Sequence, residues 1–404
     1  MAVLTRDYLR LLKRELSSEE LLNEFISAES RGEPEVVSDL VRVILDRSTS
    51  CGGLHRKGGS GSGPQINRLV PDPRERREQD RFSIWPLDPC ARDEVPISLR
   101  VGGVVLSSNY FMQRMRLSLT EKVKPESDGS FILMPDKNGQ KIYYLTSLEE
   151  INLPPNLEMT LDAKSTTGRI GAMCHPVESY FGFDKRTWFA VQPYAFPIRV
   201  TPEKDALVHA LIRFARSNYV TLPELMEKGD GFMKLTRGGQ EVPPEERFGR
   251  IGAKMTYSTK KVFRARPFNE CMEPIDLGAR GEVDPEDYFE LIEGNSSVVL
   301  DATKFYLFGT RETISLGNVL GRLDREAHDS GSGFWHHFAG YFNPGFKGSI
   351  TLECWSSNNR VIEEGHPAGE VLFDELVGEQ DVFYAGSYQD QSAPELPKMF
   401  KPFS

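Results

Sequence analysis

The sequence predicts a mainly β protein, with two β domains in tandem behind a helical N-terminal extension. Three observations carry this. From about residue 83 onward, short runs of alternating apolar and polar residues are punctuated by Gly, Pro, Asn and Asp, as in a barrel or sandwich. That texture occurs twice, interrupted between about 203 and 249. A chain of 404 residues is long enough for two or three domains with cores of their own.

Residues 1 to about 50 read as helical, with Leu9, Leu12 and Leu16, then Leu21, Leu22, Phe25 and Ile26, at spacings of three and four. Thr5 and Ser17 or Ser18 are suitable N-caps. The stretch Gly58 to Pro64 is a flexible linker by composition; it lacks the G-x-x-x-x-G-K-[ST] order of a phosphate loop. The charged run Arg74 to Arg81 reads as a solvated helix or arm. Strands follow at Ile97–Val101, Phe131–Met134 and Lys141–Leu145. A helical interlude is read around 203–229 from Leu207, Leu211, Ile212, Leu222 and Leu225, and β texture resumes near 250. The resulting division is 1–82 extension and linker, 83–215 first β domain, 216–249 helical or loop linker, and 250–404 second β domain. Weak internal repetition supports it: Ile142-Tyr143-Tyr144-Leu145-Thr146 in the first half answers Lys304-Phe305-Tyr306-Leu307-Phe308 in the second.

Composition narrows the function classes. Charged residues make up 27%, and no apolar run approaches the ~18 residues of a spanning helix, which predicts a soluble protein and no membrane partner. The N-terminus is charged from Arg6 without an apolar segment before it, so a cytoplasmic location is expected. Five scattered cysteines without a C-x-x-C pair suggest reduced thiols, neither a disulfide framework nor a zinc site. A net charge of −10 argues against a broad nucleic-acid surface but leaves room for a small basic pocket.

The most informative run is Ala339 to Glu353. Asn343-Pro344-Gly345 is a turn signal, and the strand after it alternates, with Ile350, Leu352 and Cys354 on one face and Ser349, Thr351 and Glu353 on the other. On pattern alone Glu353 reads as a solvated glutamate on the polar side of a half-buried strand. The turn fixes the distance of that carboxylate from the hairpin, but the spacing by itself gives it no catalytic role. In the first half, Ala163-Lys164-Ser165-Thr166-Thr167-Gly168-Arg169-Ile170-Gly171 combines hydroxyl and cationic side chains; were it to open a helix, as the resemblance given below implies, its start would favour an anion and Ser165 and Arg169 would share one face. A capped, solvated surface turn is the alternative. A polar tail, Tyr384 to Gln391, reads unaided as an ordinary C-terminal segment.

These segments resemble the dCTP deaminase branch of the dUTPase-like superfamily. Residues 339–353 are similar to its A-G-aromatic-aliphatic-D-x-G-F-x-G-x-I-T-L-E segment, 163–171 to its G-R-S-S-x-A-R-x-G signature, and 384–391 to its G-K-Y-x-x-Q tail. The tandem arrangement resembles the fused two-barrel subfamily, over roughly residues 95–404. The resemblance implies a pair of dUTPase-like, β-clip-type barrels. It also implies hydrolytic deamination of dCTP to dUTP and ammonia in pyrimidine deoxynucleotide metabolism, by a hydrolase acting on C–N bonds of cyclic amidines. Glu353 would activate the water that attacks C4. Lys164, Ser165, Thr166 and Arg169 would bind the triphosphate, the backbone of Ala339 and Gly340 the base, and Tyr388 and Gln391 would cover the nucleotide. Ser387 stands where the family has a lysine. Magnesium would ride on the triphosphate, with no metal in the chemical step.

The two halves differ in the residues they keep. The place corresponding to the phosphate motif in the second half is read as Gly321 to Ala327, with Leu323 and Asp324 replacing the hydroxyl residues. In the first half, Trp188 to Pro193 has an aliphatic residue about where the carboxylate belongs. A composite site follows, within one chain or between chains, with a homo-oligomer or a pseudo-symmetric assembly of tandem barrels expected. A zinc-dependent deaminase is disfavoured because Pro89-Cys90 lacks its second cysteine, and neighbouring His336 and His337 point apart on a strand. Two other readings stay open. One is a dUTP diphosphatase or bifunctional enzyme, which Asn343 disfavours because the resemblance places a catalytic aspartate there. The other is a non-catalytic nucleotide-binding module.

Overall fold

In the computed structural model the described residues are 83–85, 97–108, 121–136, 141–152, 157–176, 180–181, 184–214, 220–269, 272–324, 334–375 and 383–403. The expected N-terminal helices, the Gly58–Pro64 linker and the Arg74–Arg81 arm lie outside them.

The described chain is mainly β, as the alternation predicts. The first barrel contains β1 (Ile97–Ser108), β2 (Phe131–Leu133), β3 (Ile142–Asn152), β4 (Leu157–Ala163), the short helix α1 (Ser165–Arg169), β5 (Ala172–Pro176), β6 (Asp184–Pro193), β7 (Ile198–Val200) and β8 (Ala206–Phe214). A capped helix, α2 (Leu222–Lys228), and strand β9 (Met233–Arg237) come next. The second barrel contains β10 (Ala253–Ala265), β11 (Ser297–Leu300), β12 (Phe305–Leu316), β13 (Val319–Asp324), β14 (Phe334–His336), β15 (Lys347–Ser356), β16 (Arg360–Glu363) and β17 (Pro367–Glu375). Leu106 and Ser107 at the end of β1 pair antiparallel with Lys122 and Glu121.

The two barrels repeat one topology. The strand order β5-β6-β3-β1-β8-β4 in the first recurs as β14-β15-β12-β10-β17-β13 in the second. The small antiparallel pair β2·β7 recurs as β11·β16. Buried polar fixtures repeat as well. Ser147 Oγ donates to Glu149 O at 2.8 Å, and Thr310 Oγ1 donates to Glu312 O at 2.7 Å. The Ser147 hydroxyl accepts from Thr187 N and the Thr310 hydroxyl from Ile350 N, so the hydrogen bond that fixes β6 on β3 also fixes β15 on β12. Each pair satisfies groups that would be costly to bury alone.

One expectation is corrected. Residues 206–214 are strand, not helix; only Leu222–Lys228 in that interval is α-helical. Leu207, Val208, Ala210, Leu211 and Ile212 are all buried, so β8 has two apolar faces and shows no period of two. Such a run cannot be told from a buried helix by spacing. The 216–249 interval also contributes to the second sheet, because β9 pairs with β12 from Met233↔Leu316 to Arg237↔Glu312. Thr221 caps α2 reciprocally with Glu224.

The barrels share an aromatic seam. Tyr194, just past β6, lies 4.9 Å from Trp355 and 5.4 Å from Phe338 between ring centroids, and Phe196 meets Phe289 edge-on at 5.0 Å. Ile275 adds a backbone link, pairing in parallel with Ile198 of β7. This seam holds α1 of the first barrel against β15 of the second.

Candidate active site between the barrels

Strand β15 carries Glu353 beyond a tight turn. Phe346 N donates to Asn343 O at 3.0 Å, with Pro344 at the second position and Gly345 at φ +78, a left-handed value that favours glycine at the third position of a type II turn. Ile350, Leu352 and Cys354 face the second core, as the alternation predicts. The opposite face is not solvated: Ser349, Thr351 and Glu353 are 2%, 5% and 2% exposed. The tail covers part of it, since Ser349 N donates to Gln391 O and Glu395 N donates to Thr351 Oγ1. Helix α1 covers Glu353.

That cover depends on Gly168. A Cβ on Gly168 would lie 2.9 Å from Ala339 Cβ and 3.1 Å from Glu353 Oε1, so only the missing side chain admits the contact. The helix has no side-chain N-cap and turns out at Gly171, φ +73, where a Cβ would stand 2.5 Å from Ala195 Cβ. The segments named from the sequence thus meet within one chain.

Glu353, Lys164, Ser165, Thr166, Arg169, Ala339, Tyr388 and Gln391 line one cavity of about 260 Å³. Gly340 does not; its N–H donates to Asp162 Oδ2 at 3.0 Å, while Asp162 Oδ1 accepts from Ala163 N at 2.8 Å. One buried aspartate therefore ties the start of the 163–171 motif to the start of the 339–353 segment. Thr160 and Tyr341 reinforce this tie with a hydroxyl–hydroxyl bond of 2.7 Å.

Arg169 faces the tail. Its Nη1 donates to Glu395 O at 2.9 Å and its Nη2 to Gln391 Oε1 at 3.1 Å, and the guanidinium lies 3.6 Å from the centroid of the Tyr388 ring. Tyr388 Oη also shares a 3.0 Å bond with Thr166 Oγ1. The side chain of Gln391 donates to Ser349 O. The tail segment, unremarkable by composition, is thereby docked across both barrels. Lys164 Nζ donates to Ser98 Oγ at 2.6 Å.

Among the described residues of the cavity lining Glu353 is the one carboxylate, against the cations Lys164, Arg169, Arg280 and Lys398. Behind it, burial pushes the Cys354 thiol well above its usual range, with Glu353 adding to the shift, so Cys354 stays a neutral packing group. Among the described residues no group of three or more His, Cys, Asp or Glu is placed to hold a metal. Cys174 and Cys354 are buried and form no disulfide. His337, at φ +60, donates its N–H to Glu353 O at 2.8 Å, and its Nε2 lies 2.9 Å from Ala368 O.

The first barrel lacks the carboxylate. Tyr144 pairs with Ala190 as Leu307 pairs with Glu353, so the aliphatic residue in that position is Ala190. The other comparison between halves needs correcting. His209 pairs with Asp162 and Glu370 pairs with Asp324, at the same step of β8 and β17. Asp324 therefore answers Asp162, and Leu323 answers Leu161. By this register, position 327 answers Ser165, and it lies outside the described residues.

Sequence reasoning missed Asp162, Gly168, His209, Arg280 and Lys398. Asp162 had a signal, a carboxylate between apolar residues directly before the motif. His209 sat in the strand read as helix. Arg280 and Lys398 had none.

Residues 253–392 match the family described as 2'-deoxycytidine 5'-triphosphate deaminase (DCD), C-terminal domain. A "dCTP deaminase, dUMP-forming" of Parafrankia sp. (strain EAN1pec) is 29% identical over 133 residues, which are 30% of this chain and 66% of that protein. A protein of the same name from Clostridium botulinum (strain Eklund 17B / Type B) is 26% identical over 141 residues, 34% of this chain and 79% of that one. The crystal structure of 2'-deoxycytidine 5'-triphosphate deaminase from Agrobacterium tumefaciens aligns with a TM-score of 0.60 at 17% identity, covering 76% of this chain and 94% of that one, a likeness of fold.

Proposed function

We propose that this chain, whose second barrel carries the dCTP deaminase C-terminal-domain match, is a hydrolase that deaminates dCTP to dUTP and ammonia, built as a member of the fused two-barrel subfamily. The observation that supports it most is the meeting of Glu353 and the 163–171 motif in one cavity, at the Gly168 contact. At about 260 Å³ the cavity is near the low end of small-molecule pockets, which run from about 300 Å³ upward. The base and sugar would fill it, with the phosphates reaching towards its mouth.

In this reading Glu353 takes a proton from water as the oxygen bonds to C4 of cytosine. The carboxyl passes that proton to the ring nitrogen N3 as C4 becomes tetrahedral. The carboxylate then takes the proton of the new C4 hydroxyl and delivers it to the amino group; the C4–N bond breaks, C4=O forms, and ammonia leaves with the bonding pair. Ala339 and Gly168 hold the carboxylate face closed against bulk water. Ser165, Thr166 and Lys164 meet the phosphates, and Arg169 holds Tyr388 and Gln391 over the nucleotide. Magnesium would be carried by the phosphates, neutralising their charge; the surrounding donors, largely hydroxyl, amide and cationic groups, suit a phosphate-borne ion better than a protein-held one.

The curated relatives are named as dUMP-forming, which favours a bifunctional enzyme as the second reading. Asn343 opposes it here: it lines the cavity at the turn, and an amide cannot take a proton from water for attack on a phosphate. Incubating the protein with dCTP and magnesium, and following ammonia and nucleotides by chromatography, separates the readings. Equal dUTP and ammonia are expected, falling on the order of a hundredfold or more in Glu353→Gln. dUMP with pyrophosphate would establish the bifunctional reaction, and binding without product would leave a nucleotide-binding module.

A further inference from the structure

The cations among the described residues of the cavity lining come from different parts of the chain. Arg169 is 4% exposed and both of its terminal nitrogens are committed to the tail. Lys164 is drawn towards Ser98. Arg280 and Lys398 reach the same lining from chain that none of the three motifs covers. Gly281 N donates to Lys398 O at 3.1 Å, Val283 N to Met399 O at 3.0 Å, and Lys401 N to Val283 O at 2.9 Å, with a parallel bridge between Val283 and Phe400. This pairing sets Arg280 and Lys398 beside one another. Lys398 N in turn donates to Tyr388 Oη at 3.4 Å, which places the pair at the Ser387–Tyr388 end of the cavity.

Resemblance puts a lysine at position 387, where this chain has serine. We propose that Arg280 and Lys398 bind the outer phosphates of the nucleotide, restoring in space the positive charge that position 387 lacks. The proposal rests on reading the cavity as a nucleotide site. A triphosphate brings about four negative charges beside Glu353, and charge-assisted bonds to phosphate are the strong ones. Arg280 is exposed and loses little hydration while waiting, and its planar fork suits a phosphate bidentately. Lys398 is half-buried and supplies a point charge. Arg169 can then keep the tail docked while other groups meet the ligand.

The test uses the full chain and two readouts. Inorganic tripolyphosphate binding is measured by calorimetry for the wild type, Arg280→Ala, Lys398→Met and the double variant, and dCTP turnover is measured on the same proteins. Each single variant should weaken tripolyphosphate binding on the order of tenfold and raise KM for dCTP with little change in kcat. Adding Ser387→Lys to the double variant should recover part of the loss. Wild-type protein that fails to bind tripolyphosphate, or variants that bind it as the wild type does, overturn the proposal, whatever happens to dCTP. Variants that lose tripolyphosphate in a protein that never deaminates dCTP support the phosphate site and sink the deaminase reading instead.

Discussion

Gly168 allows a helix from one barrel to lie on a carboxylate from the other, and it does so by having no side chain. An alanine there would place its Cβ 3.1 Å from Glu353 Oε1, on strand β15, and 2.9 Å from Ala339 Cβ, in the bend after β14. Overpacking of this kind costs about 1–3 kcal/mol. Gly168→Ala is expected to fold with a lowered melting temperature and to lose on the order of tenfold or more in dCTP turnover as the carboxylate is displaced. Unchanged turnover would show that the contact does not set the position of Glu353. Asp162 works from the other side of the same junction, accepting from Ala163 N and Gly340 N, so the 339–340 backbone is positioned by a residue that precedes the 163–171 motif.

Strand β15 was legible because its apolar–polar alternation survives in the sequence although both of its faces are buried, and the three motifs were legible because each is contiguous. Strand β8 was not, since both of its faces are buried and its apolar run has no period to read. The burial of Glu353 was not legible either: the face that carries it is covered by α1 and the tail, segments distant in sequence. Arg280 and Lys398 meet only through backbone pairing of residues more than a hundred positions apart. Between elements, the ion pair joining β1 to β3 makes a pH-dependent contribution. Glu149 is 1% exposed and accepts from Arg100 Nε and Arg100 N, both at 2.8 Å. Burial raises its pKa, and the hydrogen bond from Arg100 works against that rise. The folded chain therefore holds this proton more tightly than the unfolded chain, so the contribution favours folding at low pH and is lost as pH rises from the ordinary carboxylate value through the raised one. Arg100→Ala removes the opposing partner and is expected to cost about 2–3 kcal/mol at neutral pH. Near pH 4 the loss should shrink, because the carboxyl is then protonated. Denaturant unfolding at the two pH values checks this, and an equal loss at both would show that the pair is not electrostatic in its effect.

Among the described residues the strand order repeats while the chemistry is divided. Ala190 holds the first barrel's counterpart of the Glu353 position, so the proposed chemistry can be completed in only one way among the described residues. Calorimetric titration with a non-hydrolysable dCTP analogue is expected to give one nucleotide per chain, and turnover per chain should not fall on dilution. Two nucleotides per chain, or activity lost on dilution, would place the working site elsewhere. Duplication within one polypeptide also changes what mutation can explore. In a protein assembled from identical single barrels, every substitution alters the phosphate-facing and the base-facing copy together, and a gain in one role is tied to damage in the other. Here the two roles have separate codons. On the proposed reading, the phosphate-facing positions of 163–171 can vary while 339–353 stays as it is, and Gly168, which packs against Glu353, is where the two roles remain coupled.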